Sequence, residues 1–497
     1  MTAAVPLNLA QLDAIAATRV DGVAVEVPNY PRHIGRRICH IGVGGFHRAH
    51  QADYLHRLLQ LGLGEDWGIC GIALRAADQP LYRTLQDQDL LYSLWEVDAA
   101  STRVKVIGSL MAYVDASADA APAIAVIADA ATRIVSLTIT EAGYCLDDAG
   151  TLNLGHPDIA ADLARFEQPR SAPGVIVRSL AQRRAAGSGG LTLMSCDNLI
   201  ENGHRLRASI LGFAAQIDTS LAQWIADNVS FPSSMVDRIT PAADPARNRQ
   251  LCERWGVDDA ALVLCEPWQQ WILEDDFVAG RPAFEKVGVV LSSLVKRYED
   301  MKVGLLNGGH SALSHLGLLC GHVSVHAALQ QPAIARWLAG YMNQVATTLE
   351  PLDGVSFDDY QASLIRRFLN PAIEDRLQRL AQDSSQKFQQ VLLPPLLKRL
   401  QRGQSFDYLA ATLALWMRYL AGLQQDGAAR AAYQDTNRDE LISLAAAAID
   451  DGDARRFMQA RMPLPADYIG RVCARIEHHL SGLRDAGYEA HLATLAT

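Results

Sequence analysis

The chain has 497 residues, 49% of them apolar and 20% charged, with a formal net charge of −10 at neutral pH. That length exceeds one ordinary hydrophobic core and predicts two sizeable domains, while the even composition excludes a disordered, fibrous or low-complexity chain. Acidic and basic residues are interspersed, which argues against a nucleic-acid or anionic-membrane surface and points to a small-molecule ligand.

The first twenty residues, MTAAVPLNLAQLDAIAATRV, lack a basic stretch followed by an apolar one, and no run of about eighteen uncharged apolar residues occurs later. A cytoplasmic protein is expected. Eight cysteines, at 39, 70, 145, 196, 252, 265, 320 and 473, form no C-x-x-C pair and read as reduced core thiols. Among fourteen histidines there is no H-E-x-x-H or Cys/His ligand set, so no metal site is expected. His47 and His50 share an H-x-x-H spacing without a third ligand and read as packed side chains.

Taken in chain order, the first strong pattern is RICHIGVGGFHRAH, residues 37–50. A short apolar run breaks into glycines and leads into a helix-like segment to about Leu61. An apolar run from Trp67 to Leu74 follows at the spacing of a βαβ unit. Further strand-like runs cover Leu90–Val97, Val104–Val114, Arg133–Thr140 and Leu191–Ser195, with a helical pattern at 174–187. This alternation predicts an α/β, Rossmann-like doubly wound domain over residues 1–290. From Leu291 the texture becomes Ala/Leu/Arg-rich helical periodicity, in 302–330, 333–349, 376–402, 405–423, 437–450 and 466–485. Residues 291–497 are therefore expected to form a mostly helical substrate or catalytic domain.

Three constellations can carry chemistry. The first is Gly42-x-Gly44-Gly45, followed by Phe46 and Arg48. At a strand-to-helix turn these glycines let the backbone approach a pyrophosphate, whose charge is favoured by free N–H groups at the helix start. The usual third small residue is missing, because Arg48 and Ala49 stand there, so the turn alone does not identify the ligand. A dinucleotide site places an acid at the end of the second strand; here that end reads Leu74-Arg75-Ala76-Ala77-Asp78. Arg75 suits a 2′-phosphate and Asp78 a ribose hydroxyl, and the choice between NAD and NADP stays open.

The second is Tyr298-Glu299-x-x-Lys302-x-x-x-x-Asn307-x-x-His310. At about 100° per residue on an α-helix, Lys302, His310 and Asn307 fall at about 0°, 80° and 140° and project from one broad face. Gly308 and Gly309 beside them cost a helix interior about 1 kcal/mol each, which points to close packing there. Tyr298-x-x-x-Lys302 also spells the pair of short-chain dehydrogenases, but those chains are about half this length with a different glycine turn, and the match is read as accidental. The third is Asp197-Asn198-Leu199-Ile200-Glu201-Asn202-Gly203, after the strand LTLMS. Asp197 or Asn202 is expected to cap the helix beginning near Gly203, which leaves Asn198 at a strand end, where open α/β sheets bind ligands.

With these motifs in place, the chain resembles the polyol-specific long-chain dehydrogenases, the mannitol dehydrogenase family. Matching segments run from the glycine turn to at least residue 390: IGVGGFHRAHQADYLHRLL, WGICGIAL, VSLTITEAGY, LTLMSCDNLIENG, FPSSMVDRITP, EPWQQWILEDDF, the Tyr298–His310 block and NPAIEDRLQRLAQDSSQK. The resemblance implies oxidation of a sugar alcohol to its ketose, D-mannitol to D-fructose first, with NAD as cofactor, NADP possible, no metal and a possible monomer. It implies that neutral Lys302 accepts the alcohol proton, that Asn198 and Asn307 hold the developing alkoxide as an oxyanion hole does, and that His310 orients a substrate hydroxyl. Glu299 falls where an acid helps move the proton to solvent, and Asp237, Arg379 and Lys387 fall near the polyol. Members that prefer NAD often carry an acid directly after the arginine, where this chain has Ala76. A lysine base must be partly neutral near pH 7–9, which burial against Leu305, Leu306 and a bound cofactor would favour. Rival expectations are D-arabinitol or D-sorbitol oxidation, reduction of a sugar acid such as fructuronate, and a cofactor-binding regulator without turnover.

Overall fold

Short, largely apolar runs in the first half form strands, bounded by glycine or polar turns. The computed structural model describes residues 4–64 and 66–496. The central strands are β1 (Arg36–Ile41), β2 (Trp67–Ala73), β3 (Leu110–Asp115), β4 (Thr132–Leu137) and β5 (Thr192–Ser195). They form one five-stranded sheet in the order β3-β2-β1-β4-β5, with every neighbouring pair parallel. The order reverses between β1 and β4, the switch point at which such sheets take their ligands.

Both faces of this sheet are buried, as an all-parallel sheet requires. Ile38, Ile69, Ile134 and Met194 enter one apolar core together with the helix Gln51–Gln60. Cys39, Ile41, Cys70, Ile72, Val135 and Leu137 enter the other, under the helices Ala172–Ala186 and Asn202–Ile217. All eight cysteines are unbridged and six are buried.

Two strand expectations need correction. The run Leu90–Val97 yields the strand Tyr92–Val97, but it lies in a second sheet between Thr102–Ile107, antiparallel, and Val263–Cys265, parallel. The run Val104–Val114 is not one strand. It divides at Gly108-Ser109, so that its first part joins the second sheet and its second part is β3. A Cβ on Gly108 would stand 2.7 Å from Pro28 Cγ. The chain turns there in a space that a side chain would fill.

A group of four buried charges ties these layers together. Lys105 Nζ donates to Asp53 at 3.1 Å and to Glu96 at 2.8 Å, and Arg238 donates to Asp53 at 3.1 Å and to Glu96 at 2.5 Å. Burial favours the neutral forms, yet the opposed charges win: Lys105 is held above its ordinary value and Asp53 below.

The described residues fall into two compact units, one within Met1–Lys296 and one within Arg297–Thr497. The second is helical. Its long elements include Pro332–Ala346, Phe357–Phe368, Asp407–Gly422, Arg438–Asp451 and Ala466–Asp485. Among the described residues, no helix is long and apolar enough to cross a membrane.

The charge group generates a stability prediction. Lys105→Met should cost about 3–5 kcal/mol, because it strands two buried carboxylates on one arginine. At roughly 2–4 °C of melting temperature per kcal/mol, calorimetry will resolve this easily. Asp53, depressed in the fold, contributes stability that is full above the ordinary carboxylate range and lost as acid titrates it towards its folded value. The acid sensitivity of the first unit should therefore shrink in the variant. A melting temperature within about one degree of the parent would show that the four charges do not act as a unit.

Candidate functional site

In the first unit the site begins where β1 ends. Gly42 has φ +92°, and a Cβ there would fall onto the Thr138 carbonyl oxygen, so only glycine serves. Thr138 closes the turn from the β4 side, with its Oγ1 donating to Gly42 O at 2.7 Å and its N–H to Ile41 O at 3.0 Å. Beyond it, Cβ atoms on Gly44 and Gly45 would meet nothing nearer than 3.8 Å. The backbone is open to a ligand there. The helix that starts at Gly45 runs only to Ala49, breaks at His50 (φ −123°, ψ −86°), and resumes as Gln51–Gln60. Phe46 is half-buried and stacks on His50 with centroids 5.0 Å apart.

The structure turns Arg48 inward. Its guanidinium donates to Gly44 O at 3.3 Å and to Ala261 O, and lies over the Tyr92 ring. Its side chain therefore braces the turn from below, whereas the sequence reading grouped Arg48 with the cofactor-binding residues. His47 is packed face to face on His40 at 3.4 Å. Burial lowers both rings, His40 to about 3. At the end of β2, Arg75 is exposed, whereas Asp78 Oδ2 accepts the N–H groups of Leu74 at 3.0 Å and Arg75 at 2.9 Å. That oxygen holds the loop on which Arg75 sits.

Asn198 is exposed just past β5. The residues around it do not cap the next helix as expected. Asn202 is the first residue of Asn202–Ile217, and its amide instead donates to Asp197 O and Ser234 O while accepting from Ser234 N. Asp197 accepts from Ile139 N, Thr140 N and Tyr144 Oη at 3.0, 2.9 and 2.7 Å. Burial raises its carboxyl, partly offset by these donors. Thr140 has φ +64° and ψ 166°, a region that costs a β-branched residue strain. Asp197 therefore clamps a strained loop at the carboxyl ends of β4 and β5, a role that no motif announced. Asp237 ends the strand Ser234–Asp237, is 4% exposed, and accepts from Trp268 Nε1 at 3.3 Å.

In the second unit, Lys302–Asn307 is π-helical between Val295–Met301 and Gly308–Leu319. This corrects the α-helical wheel: in a π turn the i→i+5 bond brings residues five apart, here Lys302 and Asn307, close to one face. Lys302 and Glu299 are buried, and Asn307 is half-buried. The glycines explain how the wide turn packs. Cβ atoms on Gly304 and Gly309 would stand 2.9 Å from Val345 and Met342, and one on Gly308 would collide with Tyr341 Oη, all on the helix Pro332–Ala346.

His310 is buried one turn on, stacked on Phe368 at 4.2 Å, with Nε2 3.8 Å from Asp375 Oδ2. Arg379 Nη2 donates to Asp375 Oδ1 at 2.5 Å. Lys387 Nζ donates to Leu380 O at 3.1 Å, and burial lowers its ammonium. His310 and Arg379 thus share one partner, Asp375, which the motif reading passed over. Its Asp/Arg spacing of i,i+4 is a readable signal of pairing. Among the described residues, no group of three or more His, Cys, Asp or Glu side chains is placed to hold a metal ion.

Known proteins resemble this chain over most of its length. The mannitol dehydrogenase Rossmann domain profile matches residues 36–286, and the mannitol dehydrogenase C-terminal domain profile matches residues 294–459. The chain is 41% identical to a D-mannonate oxidoreductase of Escherichia coli over 88% of its length and 92% of that protein. It is 41% identical to a mannitol 2-dehydrogenase of Cereibacter sphaeroides, over 81% and 85%. Among solved structures, the Pseudomonas fluorescens mannitol 2-dehydrogenase ternary complex with NAD and D-mannitol superposes with a TM-score of 0.84 at 39% identity, covering 99% of both chains. With both of its characteristic domains matched, the chain belongs to the mannitol dehydrogenase family.

Proposed function

We propose that this protein oxidises a neutral sugar alcohol to its ketose, D-mannitol to D-fructose first, with NAD as cofactor and Lys302 as the base. The observation that carries the reading is a buried lysine on a π turn that also brings Asn307 to its face, with His310 one turn on. The D-mannitol and NAD of the Pseudomonas complex support the choice of substrate and cofactor.

The glycine turn fits a dinucleotide. Its backbone at Gly44 and Gly45 is unobstructed, and Gly42 permits the sharp exit from β1. Gly42, Gly44, Gly45 and Phe46 would hold the pyrophosphate, and Arg75 would sit by the adenosine end. NAD, when bound, supplies the hydride-accepting ring.

The protein's own residues then handle the proton and the charge. Neutral Lys302 removes the hydroxyl proton, which raises the electron density on oxygen and weakens the adjacent C–H bond towards hydride loss. Amide N–H groups of Asn198 and Asn307 donate to the alkoxide where its charge forms. His310 orients a neighbouring hydroxyl, and Glu299, less than one turn before Lys302, passes the proton towards solvent. A regulator without turnover would have no need of a buried base together with these donors.

Lys302→Ala should lower kcat for D-mannitol by about 10² to 10⁴, with the NAD dissociation constant nearly unchanged. Near-normal rates with an unaltered pH profile would move the base to Tyr298. Full activity is expected after exhaustive chelation, since the mechanism asks nothing of a metal; activity that is lost and then restored by zinc would contradict it. NAD should be preferred with measurable use of NADP, and Arg75→Glu should weaken NADP selectively. An equal effect on both cofactors would remove Arg75 from the adenosine end.

A further inference from the structure

The family includes relatives named for a neutral polyol and for a sugar acid, and the surroundings of His310 bear on which of these the pocket accepts. Asp375 is 8% exposed. Its backbone is fixed, with its N–H donating to Ile373 O and its carbonyl accepting from Val325 N. One carboxylate oxygen, Oδ1, is taken by Arg379. The other, Oδ2, accepts no hydrogen bond from the described residues and lies 3.8 Å from His310 Nε2.

That distance is too long for a hydrogen bond. A buried carboxylate oxygen without a donor is costly, and such atoms call for an explanation. A hydroxyl oxygen about 2.8 Å from each group would supply one, donating its proton to Oδ2 and receiving a bond from Nε2. The stack on Phe368 already holds the His310 ring in position for it.

The charges around His310 point the same way. Arg379 is the obvious cation for an anionic substrate, but its charge is matched by Asp375 in a short ion pair. Lys387 spends a donor on Leu380 O, and burial moves it towards neutrality. An incoming carboxylate would meet a balanced pair whose buried, unsatisfied oxygen carries the same sign. A neutral polyol would meet an acceptor.

We infer that Asp375 is a substrate-binding and specificity-determining residue, its Oδ2 accepting a polyol hydroxyl beside His310 and its charge disfavouring a sugar acid. This rests on the polyol-oxidation reading above, and it assigns to Asp375 a role separate from that of the base.

The test is kcat/KM for D-mannitol and for D-mannonate, each with NAD, in the parent enzyme, Asp375→Asn and Arg379→Gln. The parent should prefer D-mannitol. Asp375→Asn keeps the shape and an acceptor for Arg379 but removes the charge. It should lower kcat/KM for D-mannitol by about tenfold to a hundredfold, the worth of a bond to a charged group, and lower D-mannonate less or raise it, so that the preference narrows by at least about tenfold. Arg379→Gln, at a side chain that is 66% exposed and so tolerant of change, should move the preference the opposite way by leaving Asp375 without its counter-charge. It keeps the test decisive should Asp375→Asn fail to fold. A ratio unchanged in both variants, or a parent that prefers D-mannonate, overturns the role of Asp375. Turnover of neither compound by the parent overturns the polyol reading itself.

Discussion

A regular α-helix places residues five apart about 140° from one another around its axis, which spreads Lys302 and Asn307 across a wide arc. The π turn at Lys302–Asn307 removes that divergence by fitting an extra residue into the turn. The rest of the second unit's chemistry depends on this one distortion. A π turn has poorer packing at its own axis and is rarely stable alone, so neighbouring structure must hold it. Gly304, Gly308 and Gly309 do so by letting the helix Pro332–Ala346 approach closely through Val345, Tyr341 and Met342. The glycines that weaken the helix locally are what permit the contact that keeps it wide.

The first unit shows the same exchange of local strain for placement. Gly42 adopts a conformation that other residues resist, and Thr138 from β4 locks it. Thr140, two residues on, is held in a strained conformation by the N–H bonds that its own and the preceding residue's backbone make to Asp197. Both distortions lie at the carboxyl ends of the strands that flank the switch point, where strain tends to collect at functional sites. The four-charge group of Asp53, Glu96, Lys105 and Arg238 joins the helix Gln51–Gln60 to the second sheet and to the strand end that carries Asp237.

Much of this was legible from residues alone, for physical reasons that differ from place to place. The glycine turn and the parallel strands are local patterns, as is the spacing of Lys302, Asn307 and His310, although the α-helical angles read for that series did not survive the π turn. The division of Val104–Val114 was not legible, because both halves are apolar and the close neighbours of the turn at Gly108, Pro28 and Tyr30, lie far away in sequence. Arg48 was grouped with the cofactor-binding turn because it follows the glycines, whereas its partner, Ala261 O, lies more than two hundred residues on. The π turn leaves no periodicity signal, since six residues are too few to shift a hydrophobic pattern. Asp197 and Asn202 carry the residue types of helix caps, and only the structure shows them latching one strand end to another. Asp375 was the nearest miss: its pairing with Arg379 is an i,i+4 rule, and its approach to His310 is a tertiary fact.

Proton transfer to the Lys302 amine itself is the step on which the proposed reaction turns. It is tested most directly by chemical rescue, in which Lys302→Ala is assayed with D-mannitol and NAD in the presence of small primary amines of graded basicity. Rates should recover in proportion to the free-amine concentration, and the logarithm of the rescued rate should rise with amine pKa once steric bulk is allowed for. A variant that no amine restores, while its NAD binding stays intact, or one restored equally by amines of every basicity, would contradict proton transfer at this position.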